Sequence, residues 1–390
     1  MQVYIQPADT MSELVPGATV GIVGGGQLGR MLAEAASPLG VEVVVLDPTP
    51  DCPASPPAAD QIVADFDDES AIEELAERVD VLTLEIELAD PQGLRDATDA
   101  TGTPVHPAPA DLETTRDKLL EAQRLDEAGI PVAPFRRVDD AEALETAFET
   151  LGSPLMLKAR RGGYDGRGNS VVASVAEATE YFGTLDGLVA EGLVDFEREL
   201  SVIGSRGDGE IATYPVVENV HEAEILRETL APARTLETVK QRADDVVRDV
   251  LEQMDGRGVF GIELFETSDG DVLVNEIAPR PHNSGHYTIE GAVTSQFEQH
   301  VRAILGAPLG DTRLLGTTAM VNLLGTGQTN RPASITGVDA ALAMSGAHLH
   351  WYGKRDVRPL RKMGHVTARG QNLPEARNTA MSAHDAIEFE

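Results

Sequence analysis

The strongest constraint on this chain comes from residues 259–288, VFGIELFETSDGDVLVNEIAPRPHNSGHYT. Two apolar runs flank Asp269-Gly270, a dipeptide typical of the two-residue type I′ turn of a β-hairpin. Counting outward from that turn places Glu263 directly opposite Glu276. Like charges at opposed positions destabilise a sheet, so this register predicts a compensating cation.

The same register makes Ser268 face Asp271. Magnesium prefers oxygen ligands and binds through one or two carboxylates together with substrate phosphates. Glu263 and Glu276 are therefore the candidate metal ligands. Two alternatives stay open: a strand pair whose acids are simply solvated, or a one-residue bulge that sends the two acids to opposite faces.

Length, composition and cysteine content define the class of protein. The 390 residues, of which 42% are hydrophobic, predict two or three folded domains. No apolar run approaches the ~18 residues of a transmembrane helix, and residues 1–17 lack the pattern of a signal peptide. The lone Cys52 excludes an intrachain disulfide and a cysteine-based metal cluster. Together these features predict a protein of the reducing cytoplasm.

The net charge is −34, from 31 Lys and Arg against 65 Asp and Glu. The acids are spread along the chain, which argues against a disordered acidic tail. Salt screening relieves such self-repulsion, so the charge predicts a halophile, as among the haloarchaea, with a salt-rich cytoplasm. The same field repels nucleic acid and anionic membranes. Anionic substrates then need a locally basic pocket.

Strand and helix patterns predict an α/β (α+β) fold made of several units. Residues 18–47 have the pattern of a strand, a glycine-rich turn, a helix and a second strand. The predicted units are a possibly disordered lead (1–17), an α/β domain (18–112), a central domain (113–312) with a lobe at about 135–195, a closing subdomain (313–375) and a frayed polar tail (376–390).

The first glycine motif, Gly24-x-Gly26-x-x-Gly29, matches the dinucleotide fingerprint, and Asp47 ends the following strand. Taken alone, it suggests an NAD- or FAD-dependent oxidoreductase. Its physical content is more general, because backbone N–H groups at a helix N-terminus form an anion site. A tight turn in any α/β domain is the alternative.

A second glycine-rich loop lies within residues 158–169, KARRGGYDGRGN. A strand presents Lys158, and the loop that follows can fold over phosphates while Arg167 neutralises their charge. The pattern is not a P-loop, since no GxxxxGK[ST] occurs. A flexible surface hairpin is the alternative.

Two polar clusters follow the hairpin. Arg280, His282 and Asn283 continue its second strand, and they offer a fork and polar groups for a carboxylate or bicarbonate. A local excess of basic residues near the C-terminus predicts a phosphate pocket: Lys354, Arg355, Arg358, Arg361 and Lys362. A structural loop and a solvated basic face are the respective alternatives.

Together these motifs resemble the ATP-grasp superfamily, and most closely its 5-(carboxyamino)imidazole ribonucleotide synthases. The resemblance spans about residues 19 to 370 and rests on GGGQLGRM, GGYDGRGN, NEIAPRPHNSGHYT and HWYGK…RKMGH. It implies an ATP-grasp fold in which a Rossmann-like pre-ATP-grasp domain, a central lid lobe and a C-terminal domain clasp ATP. It also implies ATP-dependent carboxylation of 5-aminoimidazole ribonucleotide by bicarbonate, through carboxyphosphate, in purine biosynthesis.

The resemblance implies roles for individual residues. ATP is assigned to Lys118, Lys158, Gly163, Tyr164, Asp165, Gly166, Arg167, Gly168, Asn169, Glu191, Gly192, Leu193, Val194, Glu199, His221, Asn275 and Glu276. Magnesium is assigned to Glu263 and Glu276, and the chemistry on bicarbonate to Arg280, His282, Asn283 and Lys158. The ribonucleotide and its phosphate are assigned to Gln27, Leu28, Glu85, Lys354, Arg361 and Lys362.

Two features depart from the family pattern. The family commonly has Arg where Lys118 stands, and the residues before Ala18 extend beyond its N-terminus. The resemblance further implies a homodimer and a hand-off of product to the mutase of the next step. The rival functions are a formate-dependent glycinamide ribonucleotide transformylase of the same superfamily, an NAD-dependent oxidoreductase and a non-catalytic nucleotide-binding subunit.

Overall fold

The computed structural model describes residues 15–162 and 168–390, and three large sheets organise this part of the chain. The N-terminal sheet is parallel, in the order β3-β2-β1-β4: β1 (Thr19–Val23), β2 (Glu42–Leu46), β3 (Asp60–Ile62) and β4 (Val81–Leu84). Its helices are α1 (Gln27–Ala36), α2 (Glu69–Glu77), α3 (Pro91–Thr101) and α4 (Pro109–Thr115). The strands β1, β2 and β4 are almost wholly buried, as expected when helices cover both faces of a parallel sheet.

The second sheet is antiparallel and forms a separate lobe after helix α5 (Lys118–Glu127). Its order is β5-β8-β6-β7: β5 (Phe135–Val138), β6 (Leu155–Ala159), β7 (Asn169–Val172) and β8 (Leu188–Gly192). Helices α6 (Ala141–Leu151) and α7 (Val175–Phe182) pack on it through a small apolar core of their own. The glycine-rich loop joins β6 to β7, and Gly163, Tyr164, Asp165, Gly166 and Arg167 lie outside the described residues.

The third and largest sheet carries the acidic hairpin at one edge. Its order is β14-β13-β9-β11-β12-β15-β20-β18, with β10 beside β9. Its strands are β9 (Phe196–Arg206), β10 (Ile211–Thr213), β11 (Val217–Glu222), β12 (Ile225–Ala231), β13 (Gly258–Thr267), β14 (Val272–Ala278), β15 (Thr317–Leu324), β18 (Ala347–Trp351) and β20 (Lys362–Gly370). Helices α8 (Glu237–Glu252), α9 (Thr288–Gly291) and α10 (Gln296–Ile304) pack around it.

The C-terminal segment is ordered, and the tail predicted for residues 376–390 is wrong. Helix α12 (Leu373–Asp385) buries Ala376, Ala380 and Ala383 against β15 and β20 of the third sheet, at the spacing of one helix face. The remaining short elements are β16 (Arg331–Pro332), β17 (Ile335–Thr336), α11 (Val338–Leu342), β19 (Asp356–Val357) and β21 (Glu388–Phe389). Within the described ranges, no helix is both long and apolar enough to cross a membrane.

The turn of the acidic hairpin differs from the prediction. The pairing of Ser268 with Asp271 is wrong, because Asp271 accepts a hydrogen bond from Thr267 N–H at 2.9 Å instead. The loop therefore has three residues, and Gly270 closes it with a φ of +77°. Three-residue hairpin loops commonly place a glycine at such a left-handed position.

A β-bulge at Asn275 restores the predicted register further along the hairpin. Leu264 pairs with Val274, whereas Glu263 pairs with Glu276, so one extra residue is accommodated on β14. The longer turn shifts the pairing by one residue, and the bulge shifts it back. The opposition of Glu263 and Glu276 is therefore confirmed, although the turn from which it was counted is not the predicted one.

Many of the acidic residues lie on the outer faces of helices, and this arrangement supports a salt-dependent stability. On α6, for example, Glu142, Glu145 and Glu149 are exposed. With a net charge of −34, we expect the thermal midpoint to rise by about 10 °C or more between low and molar KCl, because counter-ions screen the repulsion. Sucrose at equal osmolality, which does not screen charge, is the control. A midpoint that does not rise in KCl contradicts the prediction.

Candidate active site

The bulge at Asn275 directs two consecutive side chains away from the core. Val274 and Ile277, on either side of it, pack into the core below the sheet. Asn275 and Glu276 instead each contact a lysine on the opposite face: Lys158 Nζ donates to Asn275 Oδ1 at 3.4 Å, and Glu276 meets Lys118. Strict alternation along a strand cannot place two neighbouring residues on one face. The bulge is thus the local device that assembles this part of the site.

Lys118 reaches the hairpin from the first turn of α5. Asp117 caps this helix by accepting hydrogen bonds from the Leu119 and Leu120 N–H groups, which fixes where the helix begins. From this position Lys118 Nζ donates to Glu276 Oε2 at 3.1 Å. The lysine that stands where the family commonly has Arg therefore lies in the site.

Asp117 also ties α5 to the stem of the glycine-rich loop. Its carboxylate is 1% exposed and accepts hydrogen bonds from Arg160 Nε at 2.9 Å, Arg160 Nη2 at 2.7 Å and Arg161 Nε at 3.1 Å. These arginines follow Lys158 at the end of β6. Asp117 thus connects the start of α5, which carries Lys118, to the end of β6, which carries Lys158.

Lys158 and Glu191 form a largely buried ion pair of the site. Their side chains are 9% and 15% exposed, and Lys158 Nζ lies 2.6 Å from Glu191 Oε2. The pairing follows from the lobe sheet, in which β6 and β8 are antiparallel neighbours. Gly168 and Asn169 lie at the far end of the glycine-rich loop, where β7 begins and Asn169 pairs with Lys158.

A small cavity with apolar walls opens beside these lysines. It is lined by Lys118, Glu121, Ala122, Leu125, Val132, Ala133, Glu191, Phe265, Val274 and Asn275. Apolar side chains together with a few polar groups suit a heteroaromatic ring such as adenine. Gly192, Leu193 and Val194 lead from the lobe sheet toward β9 beside this cavity, and Leu193 is exposed.

Glu121 is a buried carboxylate of this region that the sequence reasoning missed. It lies one turn after Lys118 on α5, and its Oε2 accepts a hydrogen bond from Ile277 N–H at 3.3 Å. Burial raises the pKa of Glu121 well above its ordinary value, while the charge of Lys118 opposes that shift. The spacing of three residues from Lys118 was the available signal, because residues i and i+3 share a helix face.

The pKa values of Glu263 and Glu276 shift in opposite directions although the two residues are direct cross-strand partners. Withdrawal from water raises the pKa of Glu263 to about 7, and His221 opposes this shift while Glu276 adds to it. The Glu276 side chain is 49% exposed, so its burial is only partial. Partial burial acts to raise the pKa of Glu276, but the adjacent Lys118 outweighs this effect and the pKa falls below its ordinary value. The charge of Glu276 thus adds to the effect of burial in disfavouring ionisation of Glu263, and a bound cation would oppose both effects.

Glu199 and His221 extend the polar face across the sheet. His221 Nδ1 lies 2.7 Å from Glu199 Oε2, and this carboxylate is the partner that raises the pKa of His221 against the effect of burial. Glu263 also acts on His221 through its charge. The structure therefore places Glu199 and His221 beside the carboxylate pair on the hairpin.

The loop after β14 lies directly over β13. His282 Nε2 is 3.7 Å from Glu263 Oε1, and a Cβ at Gly261 would come within 2.3 Å of the His282 Cβ. Gln296, which the sequence reasoning missed, clamps the loop: it accepts from His282 N–H at 2.9 Å and donates to His282 O at 2.7 Å. The Asn283 side chain is buried, and neither of its amide atoms has a partner within the described residues.

Arg280 lies between the N-terminal domain and the hairpin. Its Nη2 is 2.7 Å from Glu87 Oε1, and its Nη1 donates to Pro281 O at 3.1 Å. Its Nε is buried and has no partner within residues 15–162 and 168–390. Burial opposes the charge of Arg280, but Glu87 and Glu85 raise its pKa. Glu87 was not predicted as a site residue.

The glycine-rich turn before α1 is closed by internal carboxylates. Glu85 accepts hydrogen bonds from the N–H groups of Gly26 and Gly29, and Asp47 accepts from Gly25 N–H at 2.9 Å. Three of the N–H groups at this turn, those of Gly25, Gly26 and Gly29, are therefore already paired with carboxylates and are not open to an anion. Asp47 likewise holds the turn and does not extend toward a ribose.

The predicted ribonucleotide residues lie in two groups. Gln27 is partly exposed at the start of α1, whereas the Leu28 side chain is in the core beneath it. Near the C-terminus, Lys354 Nζ donates to Lys362 O at 2.7 Å, and Arg361 Nη1 donates to Asp356 O at 2.8 Å.

Burial lowers the pKa of His282 well below its ordinary value, and the charges of Arg280 and Lys362 add to this effect. Lys362 therefore acts on the loop over β13.

Three family models match successive parts of the chain. They are the ribonucleotide synthetase preATP-grasp domain at residues 17–116, the ATP-grasp domain at 123–297 and the phosphoribosylaminoimidazole carboxylase C-terminal domain at 318–379. The N5-carboxyaminoimidazole ribonucleotide synthase of Brucella melitensis is 44% identical over 361 residues, which cover 91% of this chain and 97% of the relative. The chain belongs to the N5-carboxyaminoimidazole ribonucleotide synthase family.

Solved structures agree with this assignment. The synthetase from Thermotoga maritima superposes with a TM-score of 0.87 at 41% identity, and the match covers 95% of this chain and 99% of that one. An Aspergillus clavatus synthase in complex with ADP and 5-aminoimidazole ribonucleotide has a TM-score of 0.87 at 35% identity, covering 95% and 98%. The predicted ATP-grasp fold, with its pre-ATP-grasp and C-terminal domains, is confirmed.

Membership of this family fixes the class of enzyme. The protein is an ATP-dependent ligase of purine biosynthesis, as predicted. The oxidoreductase suggested by the first glycine motif is thereby excluded, in agreement with the carboxylates that fill that turn. The formate-dependent transformylase gains no support from these relatives, which are synthases of the carboxyamino ribonucleotide.

Proposed function

We propose that the row of side chains from Lys118 and Lys158 to Lys362 is the reaction centre for carboxylation of 5-aminoimidazole ribonucleotide by bicarbonate and ATP. One observation carries this proposal. The carboxylate pair on the hairpin is joined on one side to Lys118, which lies 3.1 Å from Glu276, and on the other side to His282, which lies 3.7 Å from Glu263. A nucleotide end and a substrate end are thus connected through Glu263 and Glu276.

ATP is held at the lobe end of this row. Adenine enters the apolar cavity beside Glu191, and the segment 191–194 supplies backbone groups for its edge. Lys118, Lys158 and the glycine-rich loop 163–169 take the phosphates, because an ammonium group neutralises phosphate charge as a compact point charge. Glu199, His221 and Asn275 complete the nucleotide site.

Magnesium is held by Glu263 and Glu276. The donor set fits, because both are hard oxygen donors that face each other across the hairpin. Among the described residues, no group of three or more His, Cys, Asp or Glu side chains is arranged to hold a metal ion. The remaining ligands would come from phosphates and water. When bound, the ion would neutralise the β- and γ-phosphates.

Bicarbonate is held by Arg280, His282 and Asn283. Arg280 Nε and the Asn283 amide are buried polar groups without partners in the described part of the chain, so they are donors available to a small oxyanion. A bicarbonate oxygen attacks the γ-phosphorus of ATP, the bond to ADP breaks, and carboxyphosphate forms. Lys158 stabilises the charge on the transferred group.

The ribonucleotide is held beside this loop, with its phosphate at Lys354, Arg361 and Lys362 and its other contacts at Gln27, Leu28 and Glu85. Its exocyclic amine attacks the carboxyl carbon of carboxyphosphate, inorganic phosphate leaves, and the amine loses a proton. Closure of the lobe formed by residues 135–195 over the site excludes water, which would otherwise hydrolyse carboxyphosphate.

Substrate-dependent ADP release tests this function. In molar KCl with ATP and magnesium, we expect ADP release only when 5-aminoimidazole ribonucleotide and bicarbonate are both present. Glycinamide ribonucleotide with formate should give no more than the background rate. ADP release with the second pair alone contradicts the proposal and supports the transformylase, and ATP binding without turnover supports a non-catalytic subunit.

The cellular context remains a proposal as well. The family resemblance supports a cytoplasmic homodimer that passes its product to the mutase of the following step, and the charge of −34 supports a halophilic source. Sedimentation of the purified protein in molar KCl measures the oligomeric state, and a monomer under assay conditions contradicts the dimer.

A further inference from the structure

Glu87 joins the N-terminal domain to the bicarbonate side of the site. It lies in the loop after β4, and its Oε1 is 2.7 Å from Arg280 Nη2. The two side chains are only 32% and 19% exposed, so solvent screens this pair less than it screens a surface ion pair. A charge-assisted hydrogen bond of this kind restricts both the position and the orientation of a guanidinium group.

Alternate residues along the end of β4 contact three different parts of the molecule. Thr83 Oγ1 lies 2.8 Å from His300 Nε2, Glu85 holds the glycine-rich turn, and Glu87 holds Arg280. Thr83 is on β4, and Glu85 and Glu87 follow in the loop after it. The end of β4 therefore links the turn that precedes α1, where the ribonucleotide is proposed to bind, to the arginine proposed to hold bicarbonate.

The contacts of Arg280 leave one edge of its guanidinium open. Nη1 donates to Pro281 O at 3.1 Å, and Nη2 faces Glu87. Nε is buried and without a partner in the described residues. Because Nη2 carries two hydrogens, it can donate to an oxyanion together with Nε while it stays paired with Glu87.

We propose that Glu87 is a positioning residue that fixes Arg280 so that its Nε–Nη2 edge faces bicarbonate, and thereby couples the ribonucleotide domain to the bicarbonate site. Glu87 does not touch the reacting atoms. The inference rests on the proposed assignment of Arg280 to bicarbonate and extends it to a residue of another domain. Removing the Glu87 carboxylate leaves Arg280 charged but free to rotate, so bicarbonate binding should suffer more than the chemical step.

Steady-state kinetics in bicarbonate-depleted buffer at constant KCl test this inference, with saturating ATP and ribonucleotide. For Glu87→Gln, we expect the KM for bicarbonate to rise about tenfold or more while kcat changes by less than about threefold. Glu87→Asp keeps the charge and should recover part of the loss. The matched control is Glu113→Gln, which removes the same charge from an exposed pair with Arg95.

Arg280→Gln separates the positioning role of Glu87 from the assignment of Arg280 to bicarbonate. If it raises the KM for bicarbonate and Glu87→Gln behaves like Glu113→Gln, the positioning role is overturned while the bicarbonate assignment stands. If Arg280→Gln leaves that KM unchanged, the assignment itself fails. A KM for bicarbonate that falls in Glu87→Gln also overturns the inference, since Glu87 would then compete with the substrate. Should Glu87→Gln not fold, Glu87→Asp must still raise this KM.

Discussion

Glu276→Gln is expected to abolish ADP release, lowering kcat by about a thousandfold or more. Glu276 is both a proposed magnesium ligand and the partner of Lys118 at 3.1 Å. A neutral amide is a weaker metal ligand than a carboxylate, and its NH₂ group would face the Lys118 ammonium in one of its two orientations. The measurement is ADP release at saturating ATP, bicarbonate and 5-aminoimidazole ribonucleotide.

Thermal shifts with ADP can attribute this loss to the metal. In the unmodified protein, magnesium should add to the stabilisation that ADP alone gives, because a ligand that binds the folded state raises the midpoint. In Glu276→Gln that increment should disappear. The control is Glu237→Gln, which makes the same change at an exposed pair with Lys240, 3.4 Å apart. Retained turnover in Glu276→Gln contradicts the metal assignment.

Asp111→Ala is expected to destabilise the fold by about 3–5 kcal/mol, the largest stability effect that we predict. Asp111 is fully buried on α4 and accepts three backbone hydrogen bonds, from Asp255 N–H at 2.8 Å, Gly256 N–H at 2.7 Å and Ala108 N–H at 3.1 Å. Alanine leaves these donors buried without acceptors. The loop cannot close over the gap, because a Cβ at Gly256 would already lie 2.0 Å from the Ala108 nitrogen.

Thermal unfolding in molar KCl measures this effect, and the midpoint should fall by about 10 °C. Asp111→Asn keeps one acceptor oxygen, so its thermal midpoint should lie between those of the unmodified protein and Asp111→Ala. Asp99→Ala, at an exposed position of α3, removes the same charge and should change the stability by no more than about 0.5 kcal/mol. Equal midpoints for Asp111→Ala and Asp99→Ala contradict the role given to the buried carboxylate.

The predictable part of the site consists of residue types in short runs. The hairpin, the Lys158 strand and the loop 280–286 are each a short continuous run. Residues within one run therefore stay near each other along the chain, whatever the fold. The opposition of Glu263 and Glu276 was reached through the wrong turn, since the three-residue loop and the bulge at Asn275 offset one another. A bulge has no signal in a single sequence, because it is chosen by packing on both faces of the sheet.

The unpredicted part consists of partners that are distant in sequence. Glu121 meets Ile277, Glu87 meets Arg280, and Glu85 fills the glycine-rich turn that resembles a phosphate site. In each case the residue type is ordinary for a solvated acid in a chain with 65 Asp and Glu. Only the approach of two separate elements removes water from these carboxylates and gives them donors.

The sequence by itself determined the charge of −34, the presence of an acid on each strand of one hairpin and the two glycine-rich loops, because these depend on residue identity and spacing along a short stretch. The tertiary structure alone decided which acids remain ionised and which donors remain open. Lys118 lowers the pKa of Glu276 while Glu263 titrates near 7, and Arg280 Nε stays without a partner in the described residues. Protonation and hydrogen bonding depend on distance and exclusion of water, and folding sets both.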